Sequence, residues 1–245
     1  MTVLEMCFKA GTGHVTSCFS CVEIMVALFY EVLKPEDVFI MSKGQASPLY
    51  YAILADKGMI DEEELWKFAT KDGRLGVHLD HNIPGVVVTA GSLGHGLGIG
   101  AGMALVKKLD GEKGNVYCLM GDGECYEGSV WEAAMFAAHH KLSNLHAIVD
   151  QNGLCVTDWL ENIVSFKPSW FDKWRSFGWG VNLADGHNLG SVERCLKDTR
   201  DFPIITLAET VKGKGIPFME NKIEWHGVAP QGEDAERARR ELDGN

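Results

Sequence analysis

Hydrophobic positions along the chain change period several times, and the changes mark out alternating helices and strands. Residues 20–33 (SCVEIMVALFYEVL) are apolar on almost every side, which predicts a mostly buried helix. Pro35 ends it, since proline lacks the N–H and clashes with the turn before it. Val38–Met41 is a short unbroken apolar run, the pattern of a strand covered on both faces. Residues 46–57 return to helical spacing and stop at Gly58. Asp61, followed three residues later by Glu64, is a capping-box pattern that opens another helix. Residues 74–85 predict a loop holding His78 and His81, and residues 91–109 are glycine-rich and then helical, as for a helix packed closely on its neighbours.

Residues 116–120 predict a buried strand that runs into Gly121-Asp122-Gly123-Glu124. A helix over 129–140 and a second buried strand over 145–149 follow, the latter ending in Asp150-Gln151-Asn152. Strand, helix, strand at this spacing is a βαβ unit, which implies a parallel sheet. Ile204–Glu209 predicts a further strand, and the charged residues 231–245 an exposed helix or tail. The expected fold class is therefore α/β, a central parallel sheet flanked by helices, with residues 1–230 as one domain and 231–245 as a charged appendage. Ligands of such folds sit at the carboxyl ends of the strands. Asp122 and Asn152 both fall there.

Composition narrows the partners. The 245 residues carry 34 acidic against 23 basic side chains, a net charge of −11, with no basic stripe. That argues against nucleic acid or an anionic membrane as partner. A local phosphate site stays compatible, because backbone N–H groups and one metal ion hold phosphate without a basic surface. No apolar run reaches the roughly 18 residues of a membrane span. Seven cysteines, an odd number without a secretory signal, fit a reduced cytoplasmic setting. Cys18 and Cys21 form a C-x-x-C in an apolar helical stretch with no second pair at zinc-ribbon spacing, so packing is favoured over redox or metal chemistry.

The chemistry concentrates in two strand ends. A hard dication wants oxygen ligands, and Mg²⁺ is usually held by one or two carboxylates plus substrate phosphates. Asp122 offers a carboxylate, Asn152 an amide oxygen, and a loop carbonyl at Leu154 a third donor. Glycines at 121 and 123 let backbone approach a phosphate, with the helix after Gly128 directed at it. A lone G-D-G is most often only a turn. Here GDGE follows a buried strand, E-G opens a helix, and a second buried strand ends in D-x-N, with 28 residues between Gly123 and Asn152.

On these motifs the chain resembles the transketolase family, specifically its diphosphate-binding domain. The matching segments run in order along the chain: Gly11-Thr12-Gly13-His14, Ser42-Lys43-Gly44, residues 84–96 (PGVVVTAGSLGHG), residues 121–128 (GDGECYEG), Asp150-Gln151-Asn152, residues 210–215 (TVKGKG) and His226-Gly227. The resemblance implies thiamine diphosphate with Mg²⁺ (or Ca²⁺ or Mn²⁺) as cofactors. It implies Asp122, Asn152 and the Leu154 carbonyl as metal ligands, and Gly121, Gly123 and Glu124 around the diphosphate. Gly91, Ser92, Leu93 and Gly94 would pack on the cofactor, with His226 beside it. His14, His78 and His226 would be catalytic, donating to oxygens that gain charge, and Glu127 would lie at a contact between subunits near the cofactor's proton relay.

Two segments depart from the family pattern. Gln45 stands where the family has a histidine, and Val15-Thr16 replaces a Pro-Gly. Both bear on substrate choice. The family's pyrimidine-binding domain has no counterpart here, so the resemblance implies a partner subunit that supplies it, in an α₂β₂ assembly. Trp131, Phe136 and the glycine-rich helix from Gly91 to Gly102 are the candidate interface. The implied activity is transfer of a two-carbon ketol unit from a ketose to an aldehyde acceptor, with sugars as substrates. The rival readings are a deoxyxylulose-phosphate synthase-like or 2-oxo acid decarboxylating subunit, and a catalytically inactive cofactor-binding subunit.

Overall fold

Five parallel strands carry the computed structural model, which describes residues 1–164 and 169–244. They are β1 (Val38–Met41), β2 (Val116–Gly121), β3 (Leu145–Gln151), β4 (Gly180–Asp185) and β5 (Ile204–Glu209), in the order β1-β2-β3-β5-β4. The central three are buried along almost their whole length, as the unbroken apolar runs predict for strands covered on both faces. Gly121 pairs with Asp150 across β2 and β3, and Gln151 with Glu209 across β3 and β5. This register brings the residues just past β2 and β3 to one edge of the sheet. The β4 strand has no signal in the hydrophobic pattern. It is an edge strand with Asn182 half-buried and Leu183 exposed, and it exists because β5 offers it a backbone ladder.

The chain forms two compact units. One comprises residues 23–43 and 92–210 and contains the whole sheet. Helices Gly96–Asp110 and Gly128–His139 pack on each other, and the former packs on β2 and β3. The other comprises Met1–Val22, Gly44–Gly91 and the chain from Val211 on, and is helical. Helix Thr2–Ala10 packs there on helix Ser47–Asp56, whose extent agrees with the expected 46–57. The capping box at Asp61 is present, but the helix it opens is only Glu62–Leu65.

The expected single helix over residues 20–33 is not observed. Helix Val15–Phe19 precedes it, a turn interrupts at Ser20-Cys21, and helix Val22–Val26 widens into a π-helical segment, Ala27–Val32. The Ser20 hydroxyl and the Cys21 thiol both donate to the Ser17 carbonyl, and such back-bonding competes with the helical ladder. Cys18 and Cys21 are fully buried, and none of the seven cysteines is in a disulfide. No helix among the described residues is long and apolar enough to cross a membrane.

The charged C-terminal segment forms helix Gly232–Leu242, with Ala235 and Ala238 buried. Arg239 donates to Glu5 at 2.6 Å and stacks over the Phe8 ring, which anchors this helix to Thr2–Ala10. Asn245 lies outside the described residues.

One core group makes the fold acid-sensitive. His146 on β3 is buried with its ring 5.0 Å from that of Tyr117, and burial holds its pKa down to about 4. Below the ordinary value of 6.5 the unfolded chain takes up a proton that the folded chain accepts only near 4. Stability therefore falls as pH drops from 6.5 towards 4, by up to about 3 kcal/mol from this group. Urea unfolding across that window is expected to show the decline, and His146→Phe to flatten it; an unchanged slope in the variant would refute the assignment.

Candidate functional site

The sheet unit places Asp122 and Asn152 together because β2 and β3 are neighbours in register. Asp122 follows Gly121, and Asn152 lies two residues past the Asp150 that Gly121 faces. Both side chains are buried. The Asp122 carboxylate accepts from the Gly123 N–H at 2.8 Å and the Gly153 N–H at 2.6 Å. The Asn152 amide oxygen accepts from the Leu154 N–H at 3.2 Å, and its NH₂ donates to Asp150 at 3.3 Å. Gly153 adopts φ +77°, a left-handed conformation that turns the chain back for Leu154 to bridge to Trp159.

These donors suit Mg²⁺. A carboxylate, an amide oxygen and loop carbonyls are hard oxygen ligands, and they leave coordination positions for phosphate oxygens. Among the described residues no group of three or more His, Cys, Asp or Glu is arranged to hold a metal ion, so the softer or all-protein cages have no counterpart. Beyond Asp122 the chain makes a 3₁₀ turn, Gly123–Tyr126, before helix Gly128–His139 begins. The longer helix thus starts where the sequence predicts it, within one residue of 129, and the short turn, capped by Asp122, precedes it.

Glu124 is buried, and its carboxylate is taken up by three donors. Ser42 donates its hydroxyl, and the N–H groups of Gly94 and Gly121 donate at 2.9 and 3.2 Å. Burial raises its pKa, opposed by these bonds and by the Lys43 charge. Its place is to clamp the Gly94 loop to the end of β2. Gly94 itself has φ +86°, and a Cβ there would fall 2.6 Å from the Glu127 Cβ and 2.7 Å from the Ser129 hydroxyl, so only glycine fits. Ser129 donates to the Gly94 carbonyl at 2.8 Å. Glu127 itself is exposed.

The histidines belong to the helical unit. The ring of His14 lies 6.0 Å from that of His78 and 5.5 Å from that of His226, the latter edge-on. Residues 212 apart in sequence meet because backbone bonds tie their segments. The Gly213 N–H donates to the Thr16 carbonyl and the Thr16 hydroxyl to the Trp225 carbonyl. Ser47 and Tyr51, one turn apart on helix Ser47–Asp56, donate to the Val77 and His78 carbonyls. Gly227, at φ +72°, packs on the His14 ring, and Gly91 on that of His78. His81 bonds Thr89 instead.

Sequence motifs contain Lys43, Asp150 and Thr210 but give none of them a role of its own. All three are buried polar groups at or just past the ends of apolar strands, and that is the signal by which they are found.

The fold is that of an α/β protein built on a parallel sheet of five strands. The whole chain, residues 1–245, matches the profile described as "Transketolase, thiamine diphosphate binding domain", and it belongs to the transketolase family. It is 36% identical to a named subunit of the apulose-4-phosphate transketolase of Phocaeicola vulgatus, over 98% of this chain and 89% of that protein. With the likewise named protein of Actinobacillus succinogenes it shares 39% identity over 99% and 91%. Among solved structures it resembles the transketolase of Campylobacter jejuni, with a TM-score of 0.89, 26% identity, and coverage of 99% of this chain but 41% of that one.

Proposed function

We propose that this chain is the cofactor-binding subunit of a split transketolase-type enzyme that moves a two-carbon ketol unit from a ketose to an aldehyde acceptor. The observation that carries this reading is the pairing of Asp122 and Asn152 at the carboxyl ends of adjacent parallel strands. The names of relatives support it: two proteins that it matches along about nine-tenths of their length are named as transketolase subunits.

In this reading Asp122, Asn152 and the Leu154 carbonyl hold Mg²⁺, or Ca²⁺ or Mn²⁺ in its place. Gly121 and Gly123 let backbone approach the diphosphate, the loop from Gly91 through Ser92 and Leu93 to Gly94 packs on the cofactor, and Glu124 lines the diphosphate while holding that loop in shape. Thiamine diphosphate, when bound, supplies the electron sink that carbon–carbon cleavage needs. His14, His78 and His226 hydrogen-bond the substrate oxygens that gain charge and move protons to and from them. Held by these residues, the metal would orient the diphosphate rather than act on the sugar.

The partner carries the pyrimidine-binding domain, in an α₂β₂ assembly. Its docking face is built from helices Gly96–Asp110 and Gly128–His139, which expose Ile99, Val106, Leu109, Met135 and Phe136. A groove on these helices is lined by Gly98, Ile99, Gly102, Glu132 and Phe136. Trp131, also a candidate for the interface, is half-buried, packs with Trp174 and Phe177 at 4.7 and 5.0 Å and donates its indole N–H to the Cys125 carbonyl. The exposed Glu127, next to this face, meets the partner.

Co-purification with the partner subunit, followed by a ketol-transfer assay with thiamine diphosphate and Mg²⁺, tests the proposal. Activity is expected from the pair and from neither chain alone, and a chelator is expected to remove it. Full activity of this chain alone would overturn the split-enzyme reading.

A further inference from the structure

We infer that Asp150 is a positioning residue: with Lys43 and Thr210 it fixes which end of the Asn152 amide faces the metal. The inference rests on the reading of this site as a diphosphate–metal site. Asp150 is fully buried at the end of β3. Its carboxylate accepts from the Lys43 ammonium, just past β1, from the Thr210 hydroxyl, just past β5, and from the Asn152 NH₂ at 3.3 Å. Its backbone carbonyl accepts from the Asp122 N–H at 3.3 Å. One residue thus joins the carboxyl ends of four of the five strands, where a strand end would otherwise be free to shift.

An asparagine amide has two ends of similar shape and opposite chemistry: the oxygen can ligate a dication, and the NH₂ cannot. A carboxylate has acceptors only. Set against Asn152, it rejects the oxygen and takes the NH₂, so Oδ1 is left to point away from Asp150, on the side of the Leu154 N–H. Thr210 and Lys43 hold the carboxylate in place for this, one on each of its oxygens. Lys43 has a second consequence. Its charge offsets that of Asp150, so the Asp150 carboxylate adds no net negative charge beside the diphosphate.

The test is a titration of thiamine diphosphate at a series of Mg²⁺ concentrations into the complete chain with its partner subunit, followed by tryptophan fluorescence. Asp150→Asn is expected to weaken metal-dependent cofactor binding by about 10- to 100-fold, the range for a group that orients a ligand. A carboxylate at 152 has two equivalent oxygens and needs no orienting. In an Asn152→Asp background the Asp150→Asn penalty should therefore shrink to about threefold or less, as coupled residues require. A purely structural role would give the same penalty in both backgrounds, and that result overturns the inference. So does wild-type affinity in folded Asp150→Asn. If Asp150→Asn does not fold, Thr210→Val decides: it leaves the ion pair intact and is expected to weaken binding by about 3- to 10-fold, and unchanged affinity overturns the inference. Failure of the wild-type pair to bind thiamine diphosphate at all would be a different result, one that removes the cofactor reading and this inference with it.

Discussion

Asp122→Ala is expected to abolish ketol transfer by the assembled enzyme and to weaken cofactor binding by about a thousandfold. Removing one partner of a buried charged contact costs roughly 2–5 kcal/mol, and each ~1.4 kcal/mol is a factor of ten. Asp122 is the one carboxylate in the proposed ligand set, so the metal would lose its only charged protein donor. The same carboxylate also accepts from the N–H groups of Gly123 and Gly153, so the alanine variant orphans two backbone donors as well. Asp122→Asn separates the effects: its amide oxygen can still accept one of these bonds, while the charge is gone. Isothermal titration with thiamine diphosphate and Mg²⁺, alongside a thermal melt, reads both. Wild-type binding by either variant would remove Asp122 from the metal site.

Glu124→Ala is expected to destabilise the fold by about 3–5 kcal/mol, because a buried donor left without its acceptor costs about 1–3 kcal/mol. Three donors lose their partner at once: the Ser42 hydroxyl and the N–H groups of Gly94 and Gly121. Glu124→Gln keeps one acceptor oxygen and turns an NH₂ group towards a remaining N–H, for a loss of about 1–3 kcal/mol. Because Glu124 ties the Gly94 loop down, the alanine variant should also speed amide hydrogen exchange at Gly94. Denaturant unfolding measures the first effect. A loss under about 1 kcal/mol for alanine, well below the cost of three orphaned donors, would show that water replaces the carboxylate and that the clamp is unimportant.

Family resemblance grouped the histidines but could not say how they meet. His14, His78 and His226 share no local pattern; each is a lone histidine in a loop or at a helix start. Their rings converge through bonds such as Gly213 to Thr16 and Tyr51 to His78, which link segments far apart in the chain. Glu124 is alike in this. The resemblance puts it beside the diphosphate, but that its buried carboxylate also accepts from Ser42 and from the Gly94 and Gly121 N–H groups was set by the tertiary structure.

Local pattern alone determined four of the five strands, the buried helices around them and the two strand ends that carry Asp122 and Asn152. It could do so because a side chain's polarity reports whether its face of a strand or helix is covered, and that signal repeats every two or every 3.6 residues. The order of the strands, the edge strand β4, the break at Ser20-Cys21 and the Lys43–Asp150–Thr210 arrangement were decided by tertiary structure. Lys43 stands 107 residues from Asp150 and Thr210 stands 60. A buried charge is tolerated only where an opposite charge and further hydrogen bonds meet it, and which residue does so depends on strand register, a property of the folded sheet that no stretch of neighbouring residues encodes.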